Sequence, residues 1–265
     1  MRVLWTGASG MSAASHWVNA MANDAANINT TGYKSEDLAF SDLLAVHYAP
    51  GVRIPAPDTP PGLPVGSGVR AAARVSDWSQ GPLQETGRKL DVAWEGEGFF
   101  VVSGPEGIRY TRDGSFQVSV DPAGQATLVT ADGHVVLDEY GAPIDLTGVD
   151  LSTLAIGPDG RITGSVAGTP TDIAVLGRVV FDHPQRLIKA GNNLYDAGTE
   201  VPLTPADVPD PLRFGRLRQG YLEASNVDLT DVMTKLMEAE RLYALSARAV
   251  LTADQMMSMA NNLRG

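Results

Sequence analysis

Four histidines, His16, His47, His134 and His183, are the side chains best suited to proton transfer or metal binding near neutral pH. No two of them have the spacing of metal ligands, so each reads as a solvated imidazole. Asp91, Glu95, Glu97 and Asp113 offer carboxylates for an acid/base pair. They fall among turn residues, where solvation is the plainer reading. Gly66-Ser67-Gly68-Val69-Arg70-Ala71 loosely matches a dinucleotide fingerprint, but it follows a proline-rich stretch and opens no helix. Gly96-Glu97-Gly98 lacks a third glycine in place and reads as a bend in a strand. There is no Gly-x-Ser-x-Gly elbow. The chain has no cysteine, hence no disulfide framework and no thiolate metal site. The sequence therefore predicts no catalytic residue, no cofactor and no metal.

The elements predict something other than catalysis. Heptad positions Leu4, Gly7, Met11, Ala14, Val18, Met21, Ala25 and Ile28 mark a first helix over about residues 3–28. Leu229, Val232, Leu236, Ala239, Tyr243, Ser246, Val250, Ala253, Met257 and Ala260 mark a last one. All 17 prolines lie between Pro50 and Pro211, so both ends lack the strongest helix breaker. Two apolar seams with a 3.5-residue spacing require partner helices. Gly7 and Gly10 each cost about 1 kcal/mol relative to alanine, which predicts a frayed start or very close packing. Asn27 to Gly32 should end the helix, with Gly32 or an asparagine in the left-handed conformation. Ser225 with Asp228 reads as a capping-box-like start to the last helix.

Between the helices the pattern changes. Residues 33–48 suit an extended arm or a short helix, and 49–68 are dense in proline and glycine. From Val69 to about Tyr195, short apolar runs alternate with turn dipeptides at Asp113-Gly114, Asp132-Gly133 and Asp159-Gly160. Thr171 to Phe181 is the longest strand candidate. The predicted fold class is α+β: terminal coiled-coil-type helices form a stem, and an all-β body is inserted between them. Its predicted domains are a stem over 1–30 and 225–265, arms and a Pro-rich loop over 31–68 and 197–224, and a body over 69–196.

With 31 acidic against 20 basic residues, the net charge is −11, which argues against nucleic acid or an anionic membrane as partner. Residues 1–29 carry only Arg2 and Asp24. No run approaches a membrane span, so no membrane insertion is expected. The N-terminus also lacks the apolar core of a signal peptide.

Specific residues add a resemblance. Ala26-Asn27-Ile28-Asn29-Thr30-Thr31-Gly32-Tyr33-Lys34 and Phe40-Ser41-Asp42-Leu43-Leu44 resemble the N-terminal signature of the bacterial flagellar rod and hook family. Gln80 to Gly87, Leu90 to Ala93, Gly96 to Phe100 and Tyr110 to Phe116 resemble its body, and Gln219 to Asp228 its approach to the C-terminal helix. Leu4-Trp5-Thr6 and the long segment between Leu44 and Gly66 are most similar to the distal-rod branch. Residues 46–65 depart from the family in being unusually proline-rich.

The resemblance implies a structural basal-body subunit that stacks helically into a hollow, torque-transmitting shaft. Its partners would be copies of itself, other rod and hook proteins, the flagellar export apparatus and the surrounding ring proteins. It implies export across the inner membrane without a cleaved signal peptide. It also implies that Phe40 and Leu44 fit an export-gate motif, although both could simply pack in the arm. The signature residues are Asn27, Asn29, Thr30, Gly32, Tyr33 and Lys34. The seams, Leu4, Met11, Val18, Met21, Ala25, Ile28, Leu229, Val232, Leu236, Ala239, Tyr243, Val250 and Met257, should face neighbouring subunits and order only on assembly. Alternatives are a proximal-rod or hook-type subunit, or a secreted oligomeric β-domain enzyme or sugar-binding module.

Overall fold

A computed structural model describes residues 2–43, 46–48, 63–65, 67–104, 107–122, 124–166, 168–207 and 214–262. The chain divides into two compact units. One comprises Met1–Ala26, Glu36–Ser76 and Asp228–Gly265; the other comprises Asn27–Ser35 and Asp77–Val227.

The first unit holds both helices, α1 (Arg2–Ala26) and α2 (Leu229–Asn262). They are each other's partners. A Cβ on Gly7 would lie 2.5 Å from Val250 Cγ2, and one on Gly10 would lie 2.8 Å from Ser246 Oγ. Position rises along α1 as it falls along α2, so the pair is antiparallel. Close packing, not fraying, explains Gly7. Ala13, Ala14, Ala20 and Met21 of α1 and Val232, Ala239 and Ala253 of α2 are buried.

Part of each seam is thus covered within the chain: Met21 of α1 and Val232 and Ala239 of α2 are buried. Ile28 lies beyond the end of α1, because the helix stops at Ala26 and Thr30 turns back to the Asn27 carbonyl. α2 begins at Leu229, not 225. Asp228 is its cap, accepting the Thr230 amide at 2.7 Å, while Ser225 accepts the Val227 amide at 3.3 Å in a local turn.

Two ribbons complete this unit. β1 (Glu36–Asp42) runs antiparallel to β4 (Val69–Ser76) with a register break between Ala39 and Phe40. β2 (Val46–Tyr48) pairs antiparallel with β3 (Leu63–Val65). The arm after residue 35 is therefore extended. Val69–Ser76 belongs here and not to the body, because its full length is paired with β1. Most of the Pro-rich stretch 46–65 lies outside the described residues.

The second unit is the β body. β5 (Leu83–Glu85) pairs with β19 (Tyr221–Glu223), and β6 (Val92–Glu95) pairs with β18 (Arg216–Gln219). The largest sheet contains β7 (Phe99–Gly104), β8 (Gly107–Thr111), β9 (Phe116–Val120), β10 (Ala126–Thr130) and β11 (Val135–Val136). A three-stranded sheet follows: β12 (Val149–Ile156), β13 (Arg161–Val166) and β14 (Thr169–Val175). β15 (Arg178–Val179), β16 (Ile188–Gly191) and β17 (Leu194–Asp196) return to the large sheet, whose order is β16-β17-β8-β7-β11-β10-β9 with β15 also on β7.

The core is Trp94, Phe100, Phe116, Leu128, Ile144 and Leu176, with Leu217 of β18 joining it. Residues 216–223, expected within a connecting arm, are therefore body strands: Leu217 enters the core and their backbones complete two sheets. The expected strand Thr171–Phe181 is split. β14 ends the three-stranded sheet, and the chain crosses at Gly177, whose amide bonds the Leu137 carbonyl, to place Arg178 opposite Phe100. The dipeptides Asp132-Gly133 and Asp159-Gly160 do turn between antiparallel strands, with both glycines at positive φ.

Candidate functional site

In the helical unit, the surface left open is mainly that of α2. Met233, Met237, Leu242, Leu245, Leu251, Met256 and Met259 are exposed, with Leu229 and Tyr243. A helix that buries one stripe on α1 and leaves this much apolar area to water has a second face to cover. Of the seam residues, Val232 and Ala239 are buried, whereas Leu229, Tyr243 and Met257 are exposed. Leu4, Met11, Val18, Ala25, Leu236 and Val250 are half-buried, and Met21 is buried. The two charges of the N-terminal segment are not equivalent surface groups. Asp24 is buried, and its carboxylate accepts the Glu36 amide at 3.2 and 3.3 Å.

Phe40 sits exposed on β1, with its ring edge-on to Trp17 at 5.7 Å. Leu44, its companion in the expected export motif, lies outside the described residues.

In the body, two of the signature residues, Gly32 and Lys34, meet a buried polar cluster that sequence reasoning did not anticipate. Lys34 is fully buried; its Nζ donates to Glu223 Oε1 at 2.7 Å and to the Ser79 carbonyl at 2.7 Å. Glu223 Oε1 also accepts the Gly81 amide at 3.0 Å. Arg112, also buried, lies 3.5 Å from Glu223 Oε2, donates to the Gly96 carbonyl at 2.9 Å and stacks over Phe99 at 5.1 Å. Burial holds Lys34 below its ordinary lysine value, with Glu223 opposing the shift. Burial likewise lowers Arg112, again opposed by Glu223. A guanidinium stays charged regardless.

The backbone around these groups is equally specified. Gly32 has φ +67° and gives its amide to the Glu223 carbonyl at 2.8 Å. A Cβ there would meet the Asp113 amide at 2.7 Å. The expected left-handed glycine is real, but it serves this cluster and not the end of α1. Asn226 accepts the Ser35 amide at 2.8 Å and donates to the Asp77 carbonyl at 2.9 Å. Tyr33 is buried with Lys189 Nζ 4.8 Å from its ring. Asn193 donates to the Thr31 carbonyl, and Thr30 to the Asn27 side chain. Asn29 is exposed.

Of the carboxylates considered for catalysis, Asp91 and Asp113 hold local turns together. Asp91 accepts from Thr86 at 2.6 Å and pairs with Arg88, and Asp113 accepts from Thr31 and Ser115. Glu95 and Glu97 line an open cleft of about 920 Å3 that also holds Asp159, Arg178 and Arg216. Among the described residues no cluster of three His, Asp or Glu could hold a metal, and no helix is long and apolar enough to cross a membrane.

Three family models match in chain order. "Flagella basal body rod protein" covers residues 4–34, "Flagellar hook protein FlgE/F/G D1 domain" 93–164, and "Flagellar basal body rod FlgEFG protein C-terminal" 218–263. Lys34, Arg112 and Glu223 fall one in each. The chain is 35% identical over 275 residues to the flagellar basal-body rod protein FlgG of Borreliella burgdorferi, covering 100% of this chain and 99% of that one. It is 34% identical to the protein of the same name from Agrobacterium fabrum, over 98% of both. It is 33% identical to the flagellar hook-basal body complex protein FlhP of Bacillus subtilis, over 100% of both.

Proposed function

The chain belongs to the flagellar basal-body rod and hook family, and we propose that it is the structural subunit of the distal rod. The observation that carries this is the end-to-end match to rod proteins named FlgG, which covers the helices and the body alike. The protein sits in the flagellar basal body, and its work is mechanical: it assembles with other rod and hook components and transmits torque.

The physical chemistry supports a subunit built for stacking. α1 and α2 satisfy each other first, as a coiled-coil-type stem. The exposed leucines and methionines of α2 then supply the face on which copies pack in a head-to-tail, non-closing arrangement around a hollow axis. Methionine suits this role because its unbranched chain adapts to non-identical neighbours. The acidic excess is solvated and keeps free subunits apart. In this reading the two terminal helices make the inner tube, and the surrounding ring proteins are among the subunit's neighbours. The chain reaches its place through the flagellar export apparatus without a cleaved signal peptide, with Phe40 and Leu44 presented to the export gate while the chain is unfolded.

Deleting the gene tests the reading. Isolated basal bodies should end short of the distal rod, carry no hook, and regain both on complementation. Complete rods and hooks without this chain would assign it elsewhere.

A further inference from the structure

We propose that Glu223 is the keystone of a charge latch: the N-terminal strap 27–35 docks on the body only when the Glu223 carboxylate is in place between Lys34 and Arg112. The inference concerns closure of the single subunit and does not depend on what it assembles into.

Lys34 and Glu223 are 189 residues apart in sequence, and both are buried to 1% or less. Arg112, 4% exposed, is the third member. A chain made or threaded from its N-terminus presents the two cations long before the anion. Without Glu223, docking the strap would bury Lys34 beside Arg112, two like charges out of water, opposed only by the weaker influence of Asp77 on Lys34 and of Glu97 on Arg112. An uncompensated buried charge is among the most unfavourable arrangements in a protein. Lys34 therefore stays solvated and the strap stays off.

Arrival of Glu223 changes the sign of the balance. One carboxylate oxygen takes Lys34 and the Gly81 amide, and the other faces Arg112. The same segment then closes the main chain. The Gly32 amide bonds the Glu223 carbonyl at 2.8 Å, the Ala224 amide bonds the Pro82 carbonyl at 2.9 Å, and Asn226 ties Ser35 to Asp77. Electrostatics decides whether the strap docks, and these bonds fix where. The residues that precede the strap are α1 and those that follow Asn226 lead to α2, so one event orders both connections to the helices.

Amide exchange in the full chain tests this. In Glu223→Gln, which keeps the shape and removes the charge, the Gly32, Tyr33 and Ser35 amides should exchange about a hundredfold faster, while the paired amides of β7 and β8 hold. Adding Lys34→Met to Glu223→Gln should recover about tenfold of that loss by removing one uncompensated cation. Wild-type protection in Glu223→Gln, or no recovery in the double variant, overturns the latch. Should Glu223→Gln not fold, Lys34→Met alone still decides. Glu223 keeps Arg112, so the strap should stay within about tenfold of wild-type protection. A hundredfold loss there would show that the lysine's own bonds hold the strap, and the charge balance does not.

Discussion

Asp24 shows how the one acidic side chain of α1 is placed. It is 2% exposed, and its carboxylate accepts the Glu36 amide where the chain re-enters the helical unit. Asp24→Ala should leave a buried amide without that acceptor and destabilise the unit by about 1–3 kcal/mol in chemical denaturation. Asp228 acts at the other connection. Its carboxyl lies below the ordinary carboxylate value because the Thr230 amide, and then the Asp231 amide, hydrogen-bond its charged form. The folded value is the lower one, so its contribution is present above the unfolded value and is lost as pH falls through the folded one. Protection of the first turn of α2, measured relative to the intrinsic exchange rate at each pH, should therefore fall below about pH 4, and Asp228→Ala should abolish that fall. Little of this was legible beforehand. Ser225 looked like the cap, although Asp228 holds the position. Lys34 stood out as a signature residue with no stated role, because its partner is 189 positions away and nothing local announces it.

The terminal helices were the most legible elements, since their apolar positions repeat over many turns without a proline. Periodicity specifies that a face is covered but not what covers it. The partner proved to be the other end of the same chain, and the two flagged glycines sit at that contact. Gly7→Leu should drive a side chain into Val250 and destabilise the helix pair by about 1–3 kcal/mol from overpacking, partly offset by about 1 kcal/mol of helix propensity. The measurable result is a lower melting temperature for the helical signal with the body's near-ultraviolet signal retained. Strand existence was also legible, but unit membership was not. Val69–Ser76 and Arg216–Glu223 are both short alternating segments. Only pairing with β1 in one case, and with β5 and β6 in the other, assigns them to different units. The break at Gly177 was hidden for the same reason, since a strand that changes sheets keeps its β pattern throughout.

At the scale of the molecule, the family was legible from residue signatures at both ends and in the middle. The reason those stretches belong together became visible only when Lys34, Arg112 and Glu223 met. The seams divide: Met21, Val232 and Ala239 are buried inside the chain, whereas Leu229, Tyr243 and Met257 stay exposed beside the methionine- and leucine-rich side of α2, which is the face proposed for packing between copies. Met233 and Met237 lie one turn apart there, 50% and 53% exposed, so charges at both positions are solvated in the free subunit, and the proposed packing would bury them on assembly. The most direct measurement is electron microscopy of basal bodies from cells producing the Met233→Asp/Met237→Asp chain, alongside the melting temperature of the purified subunit. The account predicts an unchanged melting temperature, within about 2–3 °C, and basal bodies that end before the distal rod. Rods of normal length built from that variant would show that this face of α2 points to solvent in the assembled shaft, and would contradict the account.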